Sequence, residues 1–279
     1  MSQRTYSHVL VGTDGSKTAG RAVAAASRVA AALGAPLVII TAWQRDLDDP
    51  PPLSEESRYP GGNAASQESH WAMEATSDAA AVARSAGVED VRQLQPIGAP
   101  ADALLEVADR YPDGLLVVGT AGLNDAGERL VGNVPHQLTH HSPLDLLLVG
   151  AGSDPESGWA TVGLATDGSK TAGVAVGRGV ALAAAVDASP VLFTVARDED
   201  KGRGILERAA ASAGLDGEVG RQVAVGGDVA RGLQSAARDF DLLVIGNKGM
   251  SGPSRLLGSV SNRITHEVPT DLLLVNTTR

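Results

Sequence analysis

The run Thr-Asp-Gly-Ser-Lys-Thr-Ala-Gly occurs at residues 13–20 and again at 166–173. An Asp-Gly pair favours a tight turn, and the serine behind it is placed to cap a helix. Free amides at a helix start attract anionic oxygens. Each copy follows a short apolar run, Val9-Leu10-Val11 or Val162-Gly163-Leu164, and precedes an alanine-rich stretch. That makes two strand–turn–helix units, each of the kind at which α/β folds hold nucleotides. The chemistry on offer at these two turns, where Asp14 and Asp167 stand, is nucleotide binding, with the helix-start amides as donors to anionic oxygens.

A second pair of patterns supports this reading. Gly119 and Gly122 are followed after nine residues by Gly132, Asn133 and Val134. Gly246 and Gly249 are followed after eight residues by Gly258, Ser259, Val260 and Ser261. Each cluster leaves an aliphatic run, Leu116-Val117-Val118 or Leu243-Val244-Ile245, and ends in a small polar residue that starts a helix. Glycines allow close backbone approach to ribose and phosphate, and the helix-start amides donate to anionic oxygens. The bland reading is loop punctuation with Ser16 and Ser169 as helix caps, which is compatible with ligand contact. Two copies, each with its own aspartate, favour a nucleotide site.

Other constellations fall short. Gly12 to Thr18 misses a phosphate-binding P-loop, because Ser16 stands where glycine must precede the lysine; Lys17 and Lys170 read as solvated first-turn residues. His136 and His140 have the spacing of a metal-binding helix pair, but no third ligand is evident and the second half keeps only His266. Arg129 and Arg255 fall within the glycine loops, as phosphate partners or as surface charge. There is no G-x-S-x-G elbow, no Cys–His pair and no carboxylate pair with a motif-level role in acid–base work, so a dedicated catalytic site is not expected.

The elements that position these residues repeat as well. The first half reads as strands at 7–13, 36–43, 91–97, 114–119 and 144–149, with helices at 18–33, 68–86, 100–110 and 133–141. The second reads as strands at 160–166, 189–196, 219–226, 241–246 and 270–276, with helices at 171–186, 203–213, 228–238 and 259–267. The offset between copies is 153 at the first turn but 127 from Ser85 and Ser212 onward, so the first half carries 26 extra residues between about 43 and 85. Their prolines 50–52 and Gly61-Gly62 predict a mobile flap over about 44–66, beside the first half's site. Residues 150–158 form a polar linker, giving domains at 1–150 and 159–279. Alternating β and α implies a parallel, doubly wound sheet in each.

The 279 residues are 43% hydrophobic but only 3% aromatic, which suits aliphatic strands covered on both faces. A net charge of −10 argues against nucleic acid as a partner. With no cysteine, neither disulfides nor thiolate chemistry is available. No signal-like segment or membrane-length apolar run is visible, so a cytoplasmic protein without a membrane partner is expected.

On the duplicated turn and the paired glycine loops, the sequence resembles a tandem member of the universal stress protein family, whose adenine-nucleotide signature is Gly-x2-Gly-x9-Gly-Ser/Thr. The resemblance covers both halves. It implies two tandem five-stranded, doubly wound, Rossmann-like sheets of the adenine nucleotide alpha hydrolase-like type, with strand order 3-2-1-4-5. It places Asp14, Asp167, Ala42 and Val195 by the adenosine and Gly119 and Gly246 near the ribose. Gly122, Gly132, Asn133, Val134, Gly249, Gly258, Ser259, Val260 and Ser261 would then hold the phosphates. The second half departs from the pattern by a one-residue shorter spacer, and the first by Asn133 in place of Ser or Thr. Implied ligands are ATP or cyclic AMP, with Mg2+ only as carried by ATP. Because a soluble protein rarely leaves an apolar edge strand open, and family dimers pair their final strands antiparallel, strands 144–149 and 270–276 are expected to pair within the chain as a pseudo-dimer. A homodimer is also compatible. The alternative is an interaction or scaffold protein whose sites are vestigial; nucleotidyl transfer is weaker, since neither an S-G-G-x-D-S loop nor an H-I-G-H motif is present.

Overall fold

A computed structural model describes residues 5–44, 67–120, 133–150, 152, 154, 157–215, 219–247 and 270–277. The first half forms β1 (His8–Gly12), α1 (Lys17–Leu33), β2 (Leu37–Ile40), α2 (Gln67–Ser85), β3 (Val91–Leu94), α3 (Pro100–Ala108), β4 (Gly114–Gly119), α4 (Asn133–His141) and β5 (Asp145–Val149). The second half forms β6 (Thr161–Ala165), α5 (Lys170–Ala185), β7 (Ser189–Ala196), α6 (Glu199–Ser212), β8 (Gly220–Val225), α7 (Val229–Ala236), β9 (Leu242–Gly246) and β10 (Asp271–Val275). The stretch read as a flap lies, from residue 45 on, outside the described residues, as does the helix expected at 259–267.

The strands run in the order β3-β2-β1-β4-β5-β10-β9-β6-β7-β8. Each half is parallel with order 3-2-1-4-5, and the two halves are joined into one ten-stranded sheet by an antiparallel β5–β10 pair. An apolar edge is thereby removed from each half, as the argument against open edges requires.

Successive strand residues point to opposite faces, and here both faces are apolar. Val9, Leu37, Leu115, Leu147, Leu273 and Val244 belong to one core, covered by α1, α2, α5 and α6. Leu10, Val38, Leu116, Leu148, Leu272 and Leu243 belong to the other, covered by α3, α4 and α7. The register carries this alternation across the seam, with Leu147 opposite Leu273 and Leu148 opposite Leu272. Strands buried on both faces need continuous aliphatic runs, which explains why so few aromatics suffice.

Polar groups close both ends of the seam by the same pattern. Asp145 accepts from the Asn276 amide at 2.8 Å, and its counterpart Asp271 accepts from the Gly150 amide at 2.9 Å. The Tyr6 hydroxyl donates to Asp145 at 2.9 Å, while Trp159 Nε1 donates to Asp271 at 2.8 Å. Arg178 on α5 reaches across to the Thr5 carbonyl and lies 5.4 Å over the Tyr6 ring. Both carboxylates are buried and hydrogen-bonded, which is the condition for tolerating charge in a core.

Candidate functional site

At the end of β1 the backbone carries Thr13 and Asp14 into a left-handed Gly15 with φ 72°, a conformation that disfavours any side chain. Asp14 Oδ1 accepts from the Ser16 amide at 3.0 Å, and Thr13 Oγ1 accepts from the Gly15 amide at 3.2 Å. Ser16 is the N-cap of α1, its hydroxyl accepting from Ala19 N at 3.2 Å. The second copy repeats each bond. Asp167 accepts from Ser169 N at 2.8 Å, Thr166 from Gly168 N at 3.1 Å and Ser169 from Ala172 N at 3.2 Å, with Gly168 at φ 78°. Both aspartates are half-buried, and for each the second carboxylate oxygen has no partner among the described residues.

The turn-and-cap reading of these residues is therefore realised, and it leaves acceptor capacity over. Sequence reasoning missed the threonines, although Thr13 and Thr166 open the repeated octapeptide and could have been taken from it. It also missed Thr41, whose hydroxyl donates to the Thr13 carbonyl at 2.9 Å and ties the end of β2 to the turn.

Neighbouring elements complete the geometry. β1 pairs with β4, yet α1 and α4 pack on opposite faces, so the ends of these two strands form the switch point, the place where doubly wound sheets open a ligand crevice. Gly119 closes β4 beside this switch point. A Cβ there would stand 2.9 Å from the Thr18 carbonyl oxygen, so the first turn of α1 already requires glycine at this position. Ala42 follows β2, and the adjacent Trp43 is fixed by its Nε1 donating to the Gln95 carbonyl at 3.0 Å. Asn133 and Val134 open α4, with Asn133 exposed and its Oδ1 accepting from Gln137 at 3.1 Å.

In the second half Val195 sits near the end of β7, packed so that a Cβ on Gly232 of α7 would meet its side chain at 2.7 Å. It lines a cleft of about 700 Å³ with Gly226, Gly227, Asp228 and Arg231. Gly246 ends β9, and the next residue, Asn247, donates from its amide to the Val275 carbonyl at 2.9 Å. Because β5 and β10 are antiparallel, the Asp14 and Asp167 turns lie toward opposite ends of the strands.

Gly122, Gly132, Gly249, Gly258, Ser259, Val260 and Ser261 lie outside the described residues, together with Arg129, Arg255 and His266. Lys17 and Lys170 are exposed, as expected of first-turn solvent residues. His136 and His140 share a side of α4 with ring centroids 4.9 Å apart, and no group of three metal-ligating side chains occurs among the described residues. No helix among them is long and apolar enough to cross a membrane.

The model of the universal stress protein family matches residues 5–150 and 197–276. The chain belongs to that family. The second match opens at 197, yet β6 and α5 ahead of it carry the same turn, bond for bond, as β1 and α1. Universal stress protein Rv1636 of Mycobacterium tuberculosis is 37% identical over 147 residues, covering 52% of this chain and 96% of the relative. The crystal structure of a universal stress protein from Archaeoglobus fulgidus covers 96% of each chain with a TM-score of 0.70 at 17% identity, a likeness of fold through both halves. A universal stress protein solved in complex with cAMP is 34% identical, covering 52% of this chain and 98% of its own, with a TM-score of 0.39.

Proposed function

We propose that the chain is an adenine-nucleotide-binding module of stress response or signalling, organised as domains 1–150 and 159–279, with no dedicated catalytic site. The observation that carries this reading is the duplicated aspartate turn at the switch point of a doubly wound half-sheet. In each copy one carboxylate oxygen holds the turn while the other is left to accept from a ligand hydroxyl. Asp14 and Ala42, and in the other half Asp167 and Val195, meet the adenosine. The backbone near Gly119 and Gly246 meets the ribose. Gly122, Gly132, Asn133 and Val134, and correspondingly Gly249, Gly258, Ser259, Val260 and Ser261, take the phosphates, where a Cβ would block approach. Mg2+ arrives with ATP, since no protein ligand set is evident for it among the described residues. The protein works in the cytoplasm, and any ATP hydrolysis is slow and incidental.

Calorimetric titration with ATP and with cyclic AMP tests this reading. Gly258→Ala is expected to weaken binding at least tenfold, about 1.4 kcal/mol, and Gly132→Ala less, because Asn133 already crowds that phosphate position. Undiminished affinity in Gly258→Ala removes the second-half site. If neither nucleotide binds and none is released from the purified protein by heat, the vestigial-scaffold reading takes its place.

A further inference from the structure

The chain has three tryptophans, and two have their indole N–H groups committed: Trp43 to the Gln95 carbonyl and Trp159 to Asp271. The third, Trp71, is on the first turns of α2 and is 37% exposed. Its Nε1 is among the atoms nearest the Gly15 turn, 3.9 Å from where a Cβ on Gly15 would stand, and it has no hydrogen-bond partner among the described residues. Trp71 thus sets an apolar ring with a polar donor at its tip beside the Asp14–Ser16 turn. In the second half the residue that meets the corresponding Gly168 is Ile205, whose Cγ2 is 3.5 Å from the equivalent point. It offers no donor and no π-face.

We infer that Trp71 is a ligand contact and specificity determinant of the first half's site, donating its indole N–H to an acceptor oxygen of a nucleotide seated on the Asp14–Ser16 turn. The two duplicated sites are thus chemically unequal. One turn is flanked by an aromatic donor and the other by an aliphatic side chain, so they differ in affinity and in the ligand oxygens they read. The assignment rests on the nucleotide reading above and sharpens it at one position.

Equilibrium dialysis of radiolabelled ATP and cyclic AMP against the full-length protein, beside tryptophan emission during the same titrations, tests the contact. Trp71→Phe keeps the ring and removes the donor, and thermal melting checks that it folds as the parent does. The expected result is about fivefold weaker binding at one class of sites, the worth of one hydrogen bond, with the other class unchanged. A nucleotide-dependent emission change should be present in the parent and in Asp167→Asn but lost in Trp71→Phe. Unchanged affinity at both sites, with the emission change retained, overturns the contact while leaving the nucleotide reading intact. A parent protein that binds neither nucleotide overturns both.

Discussion

At the scale of single residues, the candidate site separates into groups that hold the fold and groups left over for a ligand. Gly119 belongs to the first kind by its geometry. Its missing Cβ makes room for the Thr18 carbonyl, a backbone atom that cannot swing aside. Gly119→Ala is therefore expected to lower stability by about 1–3 kcal/mol through overpacking, measured by urea unfolding without nucleotide. Unchanged stability with lost nucleotide binding would instead assign this glycine to the ligand. Tyr6 is a structural residue of another sort. Burial first, and then the neighbouring Asp145 carboxylate, push its phenol well above the usual value, so it stays protonated and donating in the folded state. A raised folded-state pKa contributes stability that is complete below the unfolded value of about 10 and is lost as pH rises through the folded value. Tyr6→Phe leaves Asp145 one donor short and should cost about 1–3 kcal/mol at neutral pH. Its alkaline stability curve, followed by unfolding from pH 8 upward, should be flatter than the parent's; parallel curves would show that the phenol does not titrate with unfolding.

At the scale of elements, most of the architecture was legible in the sequence because most strands are short aliphatic runs flanked by turn residues and most helices are alanine-rich. The periodicity places α1, α4 and β7 at or within one residue of their observed ends. It starts α6 at 203, four residues late, because Gly202 and Gly204 weaken the helical signal. The structure starts it at Glu199, capped by Asp198 accepting from Lys201 N at 2.9 Å, and gives Gly202 a packing role against Val223. Of the candidate site, the turns were legible because repetition marked them. Trp71 was not, since it reaches Gly15 from a helix more than fifty residues along the chain and belongs to no motif. Nor could composition tell that Gly119 answers to α1. The caps themselves are open to test: Ser16→Ala should remove the acceptor for Ala19 N and cost about 1 kcal/mol, and Ser169→Ala the same in the second half. Thermal unfolding of the two single variants and the double variant measures this, with near-additive losses expected because the caps belong to separate halves and lie toward opposite ends of the strands. A variant as stable as the parent would mean that water replaces the serine without penalty.

At the scale of the whole molecule, the deciding feature is that β5 and β10 are both Asp-Leu-Leu-Leu-Val. Identical strands in antiparallel register make the seam a self-complementary surface, so the chain holds within itself the isologous interface of a twofold dimer. The consequence can be tested by cutting the chain at the linker. Residues 1–152 expressed alone would expose β5 with its unpaired ladder and its leucines on both faces. A second copy of the same fragment can occupy the place of β10, with Leu147 facing Leu147 and each Asp145 accepting from the partner's Gly150 amide, as Asp271 does within the intact chain. Arg178 is absent from the fragment, so the guanidinium over Tyr6 is lost and the fragment pair should be weaker than the intrachain seam. Sedimentation velocity over a range of concentrations should show a monomer–dimer equilibrium for this fragment. Leu147→Lys, which brings an unpaired charge into the seam at a cost of several kcal/mol, should shift it to monomer. A fragment that folds by circular dichroism yet stays monomeric at the highest concentrations would show that the seam depends on groups peculiar to the second half rather than on the shared strand.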